Sequence, residues 1–222
     1  MRQDKQKAIA LRQKGKSYQE IAKIVGVPKS TLSNWFNGVP WSEKTKRYLS
    51  ELARVNSVKR MTAISNKQRI IRKKDYRTKQ IEAKKQFVSF IKERLFVAGL
   101  MIYWGEGDNK LDNGLVRVAN SDPLMIKLYY KFLRTYLPEI SDRAKMYLVL
   151  YPDLNEKVCK EYWSGKVGLP TDRFFKSSFI AGRHPSKRLA YGIGTLTVSS
   201  RAYKEKIIEW IELIKLENIT RV

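Results

Sequence analysis

Apolar residues recur at helical spacing from Lys5 to Lys14, with Ala8 and Leu11 facing inward, and Gly15 ends the pattern. Ser17-Tyr18-Gln19-Glu20 has the form of a capping box, in which the hydroxyl accepts from the third backbone N–H and the glutamate reaches back to the cap. The helix it starts buries Ile21, Ala22 and Val25, and Gly26 supplies a left-handed turn. Val27 then plugs the corner, and Pro28 opens a further helix where its missing N–H costs nothing. That helix runs from Lys29 to Phe36 with Leu32 and Trp35 at core spacing. Trp35 and Phe36 read as core rather than as stacking platforms.

Neither glycine nor proline occurs between Pro40 and Gly99, which predicts a long helix. Its ends carry apolar positions (Leu49, Leu52, Val55, then Phe87, Val88, Ile91). From Leu95 the periodicity alternates. A helix over Leu95–Gly105 precedes a strand over Gly114–Asn120, and Ser121-Asp122-Pro123 caps a helix through Leu137. Strand patterns follow at Lys145–Tyr151, around Phe174–Ile180 and over Tyr191–Ser199, with helices at Leu154–Gly165 and Arg201–Leu216. The fold class expected is α+β, with a mostly antiparallel sheet backed by helices on one side. Tyr129, Tyr130, Phe132 and Tyr136 sit at core spacing on one of those helices, and Cys159 reads as a packed thiol.

Composition narrows the function. With 43% apolar and 11% aromatic residues the chain can bury a core. Its 45 Lys and Arg against 21 Asp and Glu leave a net charge of +24, which calls for a polyanion. The charge is uneven: residues 1–95 hold 25 cations against 7 acids, a net of +18, and the remainder carries +6. Between Asn66 and Lys79 stand seven basic residues and one acid, Asp75. Lys67, Arg69, Arg72, Lys73 and Lys74 are therefore candidate phosphate contacts on a basic rod, unless the stretch is simply a solvated linker helix. Arg183 and Lys187, beside the lone His184, form a basic turn with the same two readings.

One cysteine excludes an internal disulfide, and one histidine excludes a multi-ligand His/Cys zinc site. No apolar run approaches the ~20 residues of a spanning helix, and Met1 to Gln6 hold no signal-type segment. A cytoplasmic, DNA-associated protein without a membrane partner is expected. The domains expected are 1–43, a basic helical linker over 44–94, and 95–222.

Ala10-Leu11-Arg12, Gly15, Ser17, Glu20-Ile21-Ala22, Gly26-Val27, Ser30-Thr31-Leu32 and Trp35 together resemble the helix-turn-helix of resolvase-type and transposase-type DNA-binding domains. That resemblance implies that the second helix of the pair enters the major groove of double-stranded DNA. Lys29, Ser30, Thr31, Ser33 and Asn34 then face the duplex, with Asn34 placed to pair with an adenine edge.

The segment Val97-Ala98-Gly99-Leu100-Met101-Ile102-Tyr103-Trp104-Gly105-Glu106-Gly107 resembles the LAGLIDADG motif of homing endonucleases and their relatives. The resemblance implies an αββαββα domain over residues 95–216 whose sheet lies in the major groove. In that family two motif helices pack side by side, and each delivers one acid to divalent metal. Carried over by position, the acid is Glu106, with Asp108 beside it, and Mg²⁺ would be the cofactor. Met101 stands where the motif has its close-packing glycine, and one motif per chain implies a homodimer. Gly105-Glu106-Gly107 also suits the end of a core helix in an unrelated α+β domain.

Regulators of the WhiA type join a LAGLIDADG-derived domain to a helix-turn-helix in the opposite chain order and have lost nuclease function. The leading expectation is thus a sequence-specific regulator without a cofactor. The alternative is a Mg²⁺-dependent homing-type endonuclease acting as a homodimer.

Overall fold

The computed structural model describes residues 3–181 and 189–218. The chain divides into two units, residues 1–70 and 71–222.

The first unit begins with three helices: α1 (Gln3–Gln13), α2 (Tyr18–Val25) and α3 (Lys29–Phe36). The capping box forms as expected. The Glu20 N–H donates to Ser17 Oγ over 3.2 Å, and the Ser17 N–H donates to Glu20 Oε2 over 2.8 Å. Gly26 takes φ +75°, a left-handed conformation that side chains rarely adopt, and its N–H donates to Ala22 O. Ala8, Ile21, Leu32 and Phe36 form the core, with Leu11, Trp35 and Trp41 packed against it.

Arg12 is an unannounced member of that core. It is only 2% exposed, and its guanidinium donates to Ser42 Oγ, Ser42 O and Lys16 O. It also lies 4.4 Å from the Tyr18 ring centroid, so one cation clamps α1 to the start of the next helix.

The breaker-free stretch forms a single helix, α4 (Pro40–Phe90), of 51 residues. All residues from 50 to 75 are exposed, including Leu52 and Val55, so the apolar positions near its start are not core. At the other end Ala83 and Phe87 are buried in the second unit, whereas Val88 is exposed.

The second unit continues with α5 (Arg94–Glu106), β1 (Leu115–Asn120), α6 (Pro123–Tyr136), α7 (Pro138–Ser141) and β2 (Lys145–Leu150). Then come α8 (Glu156–Val167), β3 (Ser178–Phe179), β4 (Ile193–Ser199) and α9 (Arg201–Asn218). The sheet order is β1-β4-β2-β3, antiparallel except for the β2–β3 pair. The strand expected around Phe174–Ile180 shrinks to two residues because this stretch touches β2 only at Met146 and again at Val149–Leu150.

Val116, Val118, Leu196, Val198, Met146 and Leu148 turn one face of the sheet toward the helices. An aromatic cluster of Phe90, Phe96, Phe132, Tyr136 and Trp210 fills the space beneath, with centroid separations of 5.0 to 6.4 Å. The Trp210 indole N–H donates to Ala83 O over 3.0 Å and so fixes the end of α4 to α9. Gly99 lets α5 approach α6, since a Cβ there would overlap the Phe132 side chain.

Candidate nucleic-acid interface

Leu32 and Phe36 anchor α3 to the core, and this fixes which side of the helix meets water. Lys29, Ser30, Ser33 and Asn34 are exposed on that side, and Thr31 is half-buried at its edge. At i, i+4 spacing Lys29 stacks beside Ser33 and Ser30 beside Asn34. No acid lies on α3, and none of these side chains bonds to another part of the described residues. The row therefore presents one cation, three hydroxyls and one amide, the donor and acceptor set suited to phosphates and base edges.

Lys67, Arg69, Arg72, Lys73 and Lys74 are all exposed on α4. At ~100° per residue they spread around the helix rather than sharing one face. Arg183, His184 and Lys187 lie outside the described residues.

In the second unit the sheet face away from the helices is partly open among the described residues, although Thr195 on it is only 2% exposed. Leu115 and Arg117 of β1, Lys145 and Tyr147 of β2, and Thr197 and Ser199 of β4 line it. Arg143 and Phe175 complete a shallow groove of about 530 Å³. The Lys145 ammonium lies 4.9 Å from the Phe175 ring centroid. The resemblance implied a sheet in the major groove, but none of these residues was named, although strict alternation in Lys145-Met146-Tyr147-Leu148 already put the lysine and tyrosine on one side.

Glu106 is the last residue of α5, and it is exposed. Asp108 lies in a different setting. It accepts from the Lys110 N–H over 2.9 Å, from Asn113 Nδ2 over 2.6 Å and from the Arg117 guanidinium. Lys204 Nζ, on a fully buried side chain, stands 3.5 Å away and donates to Lys110 O and Asn113 Oδ1. Burial alone would raise the Asp108 pKa. The bonds from Lys110 and Asn113, with the charges of Lys204 and Arg117, outweigh it and hold the carboxyl at about 2. Burial in turn lowers the Lys204 pKa, against the pull of Asp108.

The Asp108 oxygens are thus occupied by resident cations and donors. Among the described residues no cluster of three or more His, Cys, Asp or Glu is placed to hold a metal ion.

Residues 2–39 match the family model of a homeodomain-like domain. This agrees with the helix-turn-helix built by α1 to α3 and points to DNA as the partner. No curated protein and no solved structure matches the chain significantly. No helix of the described residues is long and apolar enough to cross a membrane.

Proposed function

We propose that this chain is a sequence-specific, double-stranded DNA-binding protein that acts as a regulator on DNA. The observation that carries the reading is the row Lys29, Ser30, Ser33 and Asn34 on α3. It is exposed, free of acids and backed by a core that fixes its orientation. The basic residues of α4 add sequence-independent phosphate affinity.

The second unit supplies a further duplex surface on its sheet face, where the exposed Arg143 and Lys145 flank Tyr147 and Arg117 is held by Asp108. Its element order supports a LAGLIDADG-derived origin. The Gly107–Val118 bridge and the bond from the Asp108 N–H to Arg117 O make a short first strand ahead of β1. With α7, α8 and β3 set aside as additions, the succession becomes αββαββα. Val97, Met101 and Trp104 on the outer side of α5 line a hollow of about 460 Å³ with Ile91 and Ile214, and Glu217 and Asn218 border it. We assign this apolar hollow to a second copy of the chain.

Within one chain Asp108 is paired with Arg117 and Lys204, so in the endonuclease alternative Mg²⁺ would be held by Glu106 of two copies. The regulator reading needs no cofactor. The exposed carboxylate of Glu106 at the end of a motif-like helix is what supports the endonuclease alternative.

The test is selection of bound sites from a random duplex library, comparing wild type with Ser33→Ala/Asn34→Ala. Enrichment of a defined site, lost in the variant, is expected; binding without enrichment overturns the sequence-specific reading. The selected duplex is then incubated with protein and Mg²⁺. Strand breaks made by wild type and absent with Glu106→Gln would replace the regulator reading with the nuclease.

A further inference from the structure

The solvent side of α6 carries a charged stripe that no duplex surface described above uses. No acid occurs between Pro123 and Tyr136. Its buried row is Ile126, Tyr129, Phe132, Leu133 and Tyr136, packed in the core with the inner face of the sheet. At ~100° per residue, Lys127, Lys131 and Arg134 fall within about 60° of one another and point about 180° away from the middle of that row. All three are exposed, and none is in an ion pair among the described residues.

Tyr130, Thr135 and Val167 complete a hollow of about 450 Å³ along the stripe. The Arg134 guanidinium lies 5.9 Å from the Tyr130 ring centroid. The Thr135 hydroxyl donates to Lys131 O over 2.9 Å, which leaves the outward-facing polar groups of the stripe dominated by cations.

The direction of this stripe sets its use. The open sheet face with Arg117, Arg143 and Lys145 looks one way, and Lys127, Lys131 and Arg134 look the other, with the sheet and a helical layer between them. To meet both, a duplex of ~30 base pairs would have to bend by roughly 180°, well beyond the ~40–90° that a site of this length takes for about 1–6 kcal/mol. Three cations about 6 and 10.5 Å apart along a helix axis, without intervening acids, suit a run of backbone phosphates.

We infer that the α6 stripe holds a second duplex segment, so that one chain bridges two stretches of DNA. This rests on the duplex-binding reading above.

The test uses the full chain. A ~30-base-pair duplex is fixed to beads, and a fluorescent duplex of the same length is added after the protein. Bead-bound protein and captured fluorescence are read separately. Wild type is expected to capture the second duplex. Lys127→Glu/Lys131→Glu/Arg134→Glu is expected to coat the beads equally, within about twofold, and to capture about tenfold less fluorescence. Equal capture by the variant overturns the assignment, because bridging then runs through another face or through paired copies. Bead-bound wild type that captures no second duplex overturns it as well, as does retention of poly-glutamate in place of DNA. Beads that bind no protein at all overturn the duplex-binding reading together with this one. Circular dichroism of the triple variant, expected to match wild type, separates a surface effect from unfolding. The milder Lys127→Gln/Lys131→Gln/Arg134→Gln variant must then lose capture in the same direction.

Discussion

The first unit and the second use lysine and arginine in opposite ways. On α3 and along α4 the cations stand in water with few acids near them, available to a partner. In the second unit several are built into the fold. Lys204 is fully buried against Asp108, Lys110 and Asn113, and Lys206 is 2% exposed between Glu82 and the rings of Tyr203 and Trp210. Arg201 links Asp112 and Glu205 and lies over the Tyr76 ring. A buried charge is tolerated only when its donors are satisfied, so these residues act as ties within one domain and are withdrawn from nucleic acid. Arg12 shows that the first unit uses the same device once. Formal charge thus overstates the binding charge of the second unit and describes that of the first fairly.

The largest expected break in this comparison is Trp210→Ala. Removing a fully buried indole from the aromatic cluster, with its bond to Ala83 O, should cost about 3–5 kcal/mol. Thermal unfolding followed by hydrogen exchange should show the loss in residues 71–218, with amides of α1 to α3 keeping their protection. Equal loss in both units would mean that the two do not differ in what holds them.

Asn34→Ala comes next, at about 1–3 kcal/mol of discrimination for a lost base contact. Titration of a selected duplex against a scrambled one should show the gap narrowing while the melting temperature stays put. Ser17→Ala should remove about 1 kcal/mol from the first unit by opening the capping box at the start of α2. Denaturant unfolding of the full chain measures it.

The last effect is seen only in acid. Asp108 has a folded pKa of about 2, below the unfolded value near 3.9. The stability it contributes is therefore present above pH ~4 and disappears as the pH falls through about 2. Asp108→Asn should flatten that part of the second unit's acid titration. Glu156, also held near 2 first by its bond with Lys160 and then by the Ser177 N–H, should leave part of the slope in place.

Much of the first unit was legible because its signals are local. A capping box, a left-handed glycine and a proline at the head of α3 each act within a few residues. The spacing of Leu32 and Phe36 then determines which side of α3 is wet. The second unit resisted for the opposite reason. The β1–β4 pairing joins residues about eighty apart, and no local rule announces it. The fate of Asp108 follows from that pairing, and the two-residue β3 from an equally distant contact with β2. The resemblance made Asp108 a candidate metal ligand beside Glu106, and only the return of α9 brought Lys204 to it.

From sequence alone followed the helix-turn-helix, the long helix without a breaker, the α+β character of the remainder and the need for a polyanion. These depend on periodicity, caps and net charge, which chain neighbours carry. Tertiary structure alone decided which cations are spent inside and which are offered to a partner. Lys127 and Lys204 are the same residue type, yet one faces water and the other is sealed against a carboxylate. Burial is a property of the packed whole, and no residue carries it alone.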